Sequence, residues 1–139
     1  MLNKSKGFTL VELVLVIAIL GILAVAALPQ FINVSTQARQ ASRDGVSGAV
    51  RSGVMLFRAN DLVVNGAPGN WPATLDAAAA NSTAGAANLF FSSILTQGVA
   101  DGNWAKGAGV NTYVYNDGTT TYTYTYAPAA GTFISPTAP

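Results

Sequence analysis

Residues 8–28 decide how this chain is built, and they read FTLVELVLVIAILGILAVAAL. Only Thr9, Glu12 and Gly21 interrupt the apolar residues of this segment. A helix of this length extends about 30 Å, which matches the hydrocarbon core of a bilayer. The segment therefore predicts one transmembrane helix that is too apolar to sit in water without cover.

The residues that flank the segment predict its orientation. Lys4 and Lys6 precede it, and such lysines stay in the cytoplasm, so the remainder of the chain is expected to be translocated across the membrane. The alternative is a secretory signal peptide that is removed after the small residues at 24–27. The long apolar core and the carboxylate inside it favour a retained single-pass membrane helix.

Glu12 is the unusual residue of the segment. A carboxylate in an apolar span costs on the order of a few kcal/mol and commonly marks function. A position near the cytoplasmic end explains how Glu12 is tolerated, but it does not explain why an acid is there. Cleavage after Gly7 would create an ammonium group on Phe8, one helical turn away. Glu12 could then pair with this group within the chain or on a neighbouring copy.

The overall composition argues against an enzyme. The chain has no cysteine, no histidine and a net charge of +1. It therefore lacks thiolate ligands, the commonest general base and the basic patch expected of a nucleic-acid binder. No cofactor, no metal and no sequence-specific nucleic acid is expected. The acidic residues are far apart in sequence and form no ligand motif: Glu12, Asp44, Asp61, Asp76, Asp101 and Asp117.

Residues 6–13 read KGFTLVEL and lead into the unbroken apolar run, which Pro29 and Phe31 follow. This pattern resembles the prepilin signature of type IV pilins and of type II secretion pseudopilins. Residues 45–53, GVSGAVRSG, weakly resemble pilins of the mannose-sensitive haemagglutinin type. Type IV pilins often carry a disulfide near the C-terminus, and this chain departs from that pattern.

The resemblance implies a leader peptide of residues 1–7. A membrane prepilin peptidase would cut between Gly7 and Phe8 and methylate the new Phe8 amine. An assembly platform and an ATPase would then insert the chain into a helical filament, with Glu12 aligning incoming subunits against the Phe8 amine. The filament, a pilus or fimbrium, would lie outside the cell.

Residues 29–58 are expected to continue the helix as an amphipathic half. A stripe of small and apolar residues recurs at spacings of three and four and is expected to pack on the C-terminal region. Its members are Phe31, Val34, Ala38, Ala41, Gly45, Ala49, Gly53 and Phe57. Gly21 and Pro29 are the weak points of the helix. They predict a kink at the membrane exit or, as the resemblance favours, a stretch that unwinds on assembly.

Residues 59–139 are expected to form a globular region with a connecting loop and three or four antiparallel strands. Residues 77–80 and 88–97 could each be a short helix. From Asn111 the period changes to two, so residues 113–115 and 121–126 around an Asn-Asp-Gly turn predict a hairpin, and residues 132–134 a further strand. The fold class is thus α+β. The alternating tyrosines are expected to pack on the helix while the threonines face water.

Three functional hypotheses follow. The first is a structural subunit of a type IV pilus, with a type II secretion pseudopilin as the alternative within the same class. The second is a minor subunit or binding module that serves adhesion or DNA uptake, and motility is a further possible role of the filament. A membrane-tethered enzyme is the third, and the absence of histidine, cysteine and paired carboxylates disfavours it.

Overall fold

The computed structural model describes residues 7–136 and contains one helix and four strands. The helix, α1, is Leu10–Asn65. The strands are β1 (Trp104–Lys106), β2 (Thr112–Asn116), β3 (Thr121–Ala127) and β4 (Thr132–Ile134). The chain divides into two compact units, and the boundary lies within α1 between Ala38 and Arg39. The expected leader, apart from Gly7, and the last three residues lie outside the described part.

The first unit contains the apolar half of α1. This helix is long and apolar enough to cross a membrane, and none of its most apolar stretch is buried inside the protein. Phe8 is 90% exposed and Ile22 is 72% exposed. The helix continues without a break through Gly21 and Pro29. Such a surface requires a lipid or protein environment, because an exposed apolar face of this size is unfavourable in water.

The end of α1 lies seven residues beyond the expected end at Arg58. Gly66 follows the helix with φ +84°, and its N–H donates to the Leu62 carbonyl at 3.1 Å. A left-handed glycine after the last turn is the common way to close a helix. The Gly-Ala-Pro sequence at 66–68, rather than Arg58, is therefore the stop signal.

The four strands form one antiparallel sheet in the order β1-β2-β3-β4. In the β2–β3 hairpin, Tyr113 lies opposite Tyr124 and Tyr115 opposite Tyr122. Tyr124 and Tyr126 are buried, whereas the threonines that alternate with the tyrosines along β3 are exposed. The predicted hairpin and its alternation are confirmed. The pattern did not locate β1, because three residues are too few to show a period of two.

The core of the second unit lies between the sheet and α1. Apolar side chains from both, with others from the connector, bury one another: Val50, Val54, Leu75, Ala84, Phe90, Phe91, Val99, Trp104, Tyr113, Tyr115, Tyr124, Tyr126 and Phe133. Aromatic rings dominate this core, and the Phe91 and Tyr113 centroids are 4.6 Å apart. Rings of this kind supply most of the apolar area that a small domain can bury.

The face of α1 that packs in this core differs from the predicted stripe. The buried helix residues are Ser47, Val50, Gly53 and Val54. Ala41, Gly45 and Ala49, three members of the predicted stripe, are exposed. Valine side chains bury more apolar area than alanine or glycine, so the valine face packs inward. Gly53 does allow close approach, since a Cβ there would lie 2.9 Å from the Ile94 carbonyl oxygen.

The connector between α1 and β1 contains turns where two short helices were expected. Residues 77–80 and 88–97 are turns, bends and isolated bridges. Phe90 pairs with Val99 through two backbone hydrogen bonds of 2.9 and 2.8 Å. Phe91 has φ +59°, which a helix cannot accommodate. These distant pairings override the local helical pattern, so the prediction of helices was wrong here.

Candidate functional site

The Gly7–Phe8 junction lies just before α1, in backbone that is neither helix nor strand. Apart from Gly7 itself and its two chain neighbours, no described atom lies within 4 Å of the position that a Cβ on Gly7 would occupy. Phe8 is almost fully exposed. Within the described part of the chain, this peptide bond is therefore open on all sides and is not protected by helical hydrogen bonds.

Thr9 and Glu12 form a reciprocal cap on the first turn of α1. The Thr9 backbone N–H donates to Glu12 Oε2 at 2.8 Å, and the Thr9 hydroxyl donates to the same oxygen at 2.9 Å. The Glu12 N–H donates in return to Thr9 Oγ1 at 3.3 Å. This is the capping box, in which Thr and Glu three residues apart satisfy the free donors of a helix start. Glu12 thus has a structural partner that the sequence interpretation missed.

No basic side chain that the structure describes forms an ion pair with the capping Glu12 carboxylate. The two ion pairs described between residues 7 and 136 join Arg43 to Asp44 and Lys106 to Asp76. Both belong to the second unit. Oε2 carries both cap contacts, and no hydrogen bond to Oε1 is described. The second oxygen is therefore available to a further donor.

Gly21 and Pro29, the two expected weak points, lie inside α1 and away from the cap. Around Gly21, no side chain lies within 4 Å of an added Cβ. Pro29 has no N–H to donate, so the carbonyl four residues earlier lacks its helical partner. The structure keeps both residues helical, and unwinding on assembly stays a prediction.

The second unit holds no described group of three or more acidic, cysteine or histidine residues that could bind a metal. Asp117, in the hairpin turn, is instead held by local donors. The Thr120 and Thr119 N–H groups and the Thr119 hydroxyl keep the pKa of this carboxyl well below its usual range. The oxygens are therefore already occupied, which disfavours cation binding in this turn.

A buried ion pair is the other feature that sequence reasoning missed. Lys106 Nζ lies 2.5 Å from Asp76 Oδ1, with side chains 1% and 0% exposed. The two residues are 30 positions apart and belong to β1 and the connector. Because the pair is formed by tertiary structure, no local pattern could predict it.

Comparison with known proteins points to one family. A family model described as the prokaryotic N-terminal methylation motif matches residues 2–28. The chain is 51% identical over 49 residues to the "Type IV narrow pilus major component PilA5" of Thermus thermophilus, covering 35% of this chain and 42% of that protein. It is 38% identical over 66 residues to the "Type IV major alpha-pilin" of Moraxella bovis, covering 46% and 42%.

A third relative is the "Type IV major fimbrial protein FimA" of Dichelobacter nodosus, 39% identical over 54 residues, covering 39% of this chain and 35% of that protein. The chain thus spans less than half the length of these curated relatives. No solved structure matches it.

The small antiparallel sheet and the long N-terminal helix, whose exposed apolar half is long enough to cross a membrane, define an α+β protein with a pilin-like fold. The methylation motif and the relatives named as pilins and fimbrial proteins support the class of type IV pilins for this chain.

Proposed function

We propose that the chain is the precursor of a type IV pilus subunit. It is cut between Gly7 and Phe8, methylated on the Phe8 amine and assembled into a helical filament through residues 8–28. The observation that carries this proposal is the uncovered apolar helix that directly follows an open Gly-Phe junction. Lipid covers that helix before assembly, and helices of neighbouring subunits cover it in the filament.

The proposed path of the chain follows from the same features. Before assembly, it is a single-pass protein of the inner membrane with the second unit in the periplasm. A prepilin peptidase removes the leader, and an assembly platform with its ATPase extracts the subunit into the growing fibre. The filament itself is extracellular.

Within the class, the proposal is a major subunit. The three relatives carry the words "major component", "major alpha-pilin" and "major fimbrial protein" in their names. A pseudopilin of a secretion system and a minor, adhesive pilin are the alternatives. Electron microscopy of sheared fibres with an antibody against the second unit separates them. A major subunit is labelled along the whole length, a minor one at sparse points, and a pseudopilin gives no long surface fibres.

Mass spectrometry of the mature protein tests the processing step. The first peptide of protein from sheared filaments should begin with N-methylated Phe8. Protein from a strain without the peptidase should keep the start at Met1 and should form no filaments. A wild-type filament protein that retains Met1 would contradict the proposed cleavage.

Glu12 is proposed to pair with the Phe8 amine of a neighbouring subunit through the carboxylate oxygen that the cap leaves available. Glu12→Gln tests this proposal, because glutamine can still serve in a capping box but carries no charge. A charge-assisted hydrogen bond contributes about 1.5–3 kcal/mol, so its loss in every subunit should reduce filament yield by about tenfold or more. The measurement is the yield of sheared filaments per cell, with processing checked on the same sample.

Glu12→Ala is the matched control, since it removes both the cap and the charge. Equal losses of filaments in the two variants assign the defect to the charge. Normal filaments in Glu12→Gln together with a loss in Glu12→Ala would show that Glu12 acts through the cap alone.

A further inference from the structure

The proposed cleavage and filament assembly do not use the ion pair between Lys106 and Asp76. Both side chains are fully buried, and Lys106 Nζ lies 2.5 Å from Asp76 Oδ1. Lys106 is also the one lysine that follows Gly7 in the sequence, the others being Lys4 and Lys6. The single lysine of the mature chain is therefore buried against a carboxylate rather than exposed to water.

Asp76 is held in place from several sides. The Ala78 N–H donates to Oδ1 at 3.1 Å, and the Phe91 N–H donates to Oδ2 at 3.1 Å. These contacts fix the orientation of the carboxyl group while its Oδ1 accepts a hydrogen bond from the amine. The Phe91 N–H, which donates to Oδ2, is a donor of the kind that stabilises an oxyanion when a carbonyl carbon is attacked.

Lys106 is positioned by Tyr113 as well as by Asp76. Its Nζ donates to the Tyr113 hydroxyl at 3.0 Å and lies 4.3 Å from the centre of the Tyr113 ring. Burial, and then the charge of Asp76, raise the pKa of the Tyr113 hydroxyl, so it stays protonated. It can therefore accept a hydrogen bond from the amine and pass a proton to the carboxyl oxygen.

Burial removes the water that would otherwise solvate the two groups of the pair. Taking an ammonium and a carboxylate out of water is costly, and transfer of one proton along the Nζ–Oδ1 hydrogen bond removes both charges. The products are a neutral amine with a free lone pair and a neutral carboxylic acid beside it. These are the two groups that condense to an amide, and the pair is sealed from the water that would oppose this reaction.

We propose that Lys106 and Asp76 form an intramolecular isopeptide bond. The Lys106 Nζ lone pair attacks Asp76 Cγ, and the Nζ–Cγ bond forms as the Cγ–Oδ1 bond breaks. Oδ1 leaves as water with the two protons that the amine gives up. The Phe91 N–H stabilises the charge that develops on Oδ2, and Tyr113 relays the proton. No oxidant, reductant or cofactor is consumed.

The bond would tie the connector to the sheet. Asp76 precedes the turn region that leads to β1, and Lys106 is the last residue of β1. Cross-linking residues 30 positions apart restricts the unfolded chain in the way that a disulfide does. A chain without cysteine would gain a covalent restraint that resists unfolding when the fibre is pulled.

Tryptic digestion of the denatured full-length mature protein tests the bond. After Arg58, Lys106 is the next and last residue at which trypsin can cut. The cross-linked protein should yield one peptide from Ala59 to Pro139 that is one water lighter than its sequence, and its Lys106 should resist amine labelling. Two separate peptides of full mass and a labelled Lys106 would overturn the proposal and leave the pair as an ion pair only.

Two variants check the chemistry. Asp76→Asn can condense with Lys106 by releasing ammonia, so its cross-linked peptide should have the same mass as that of the wild type. Tyr113→Phe keeps the ring but removes the hydroxyl, and we expect a lower cross-linked fraction at the same time after synthesis. Complete cross-linking in Tyr113→Phe would overturn the role given to Tyr113, while the bond itself is decided by the wild-type digest. Neither measurement depends on filament assembly.

Discussion

Gly131 lies at a position where only glycine fits without strain. It has φ +64°, and a Cβ there would lie 2.2 Å from the Trp71 ring. We expect Gly131→Ala to lower the free energy of unfolding by about 2–4 kcal/mol, from the left-handed backbone and the overlap with Trp71 together. Denaturant unfolding of the detergent-solubilised chain, followed by tryptophan fluorescence, measures this change.

Gly45→Ala is the matched control for Gly131→Ala. Gly45 lies on an exposed face of α1, and no atom would meet its Cβ. Alanine in a helix is favoured over glycine by about 1 kcal/mol, so this variant should be no less stable than the wild type. Equal unfolding midpoints for the two alanine variants would contradict the assigned role of Gly131.

Asp117 should make the second unit sensitive to acid. Its pKa is held low in the folded protein by the Thr120 and Thr119 donors. A lowered folded pKa stabilises the protein above the ordinary aspartate pKa of about 3.9, and this contribution is lost as the pH falls below that value. The stability difference between wild type and Asp117→Asn should therefore shrink between about pH 5 and pH 2. A difference that is constant over this range would contradict the assignment.

The sequence could nominate the residues of the junction because they are neighbours along the chain, and their roles stay predictions. Gly7, Phe8 and Glu12 belong to one short motif. The same motif contains Thr9 three residues before Glu12, which is the sequence pattern of a capping box. Lys106 and Asp76 could not be paired in this way, since 30 residues separate them. A lone lysine in a strand gives no local sign that it will be buried.

At the scale of secondary-structure elements, local patterns succeeded where local forces dominate. The β2–β3 hairpin combines a period of two with an Asn-Asp-Gly turn, and both agree with the structure. The connector failed as a prediction because Phe90 and Val99 pair across eight intervening residues. The prediction of which face of α1 packs inward was also wrong. It used the spacing of small and apolar residues and did not consider how much apolar area each side chain buries.

Pro29 is the element-scale weak point that can be tested directly. Pro29→Ala restores a backbone donor inside α1 and should stabilise that turn by up to about 3 kcal/mol. We expect slower amide hydrogen exchange in residues 25–33 of the chain in detergent micelles, and fibres that stretch less under load. Gln30→Ala is the neighbouring control and should leave exchange nearly unchanged. Identical exchange in Pro29→Ala and wild type would exclude a role for Pro29 in loosening the helix.

At the scale of the whole molecule, the two compact units differ in how they bury apolar surface. The residues that form the buried core all lie at or beyond Val50, within the second unit. The first unit contributes an apolar helix with almost no burial of its own. Folding and assembly are thus separable, since one depends on aromatic packing and the other on covering an exposed helix.

A chain that begins at Arg39 tests this division. About 100 residues can bury enough surface to fold alone, and the second unit keeps its whole described core. We expect this fragment to be a water-soluble monomer with the near-ultraviolet circular dichroism of its tryptophans and tyrosines intact, whereas the chain from Phe8 needs detergent. Mixed with growing filaments, the fragment should stay in the supernatant after sedimentation. If the fragment loses its aromatic signal, α1 before Arg39 is needed for folding; if it joins the filaments, the apolar helix is not what assembles them.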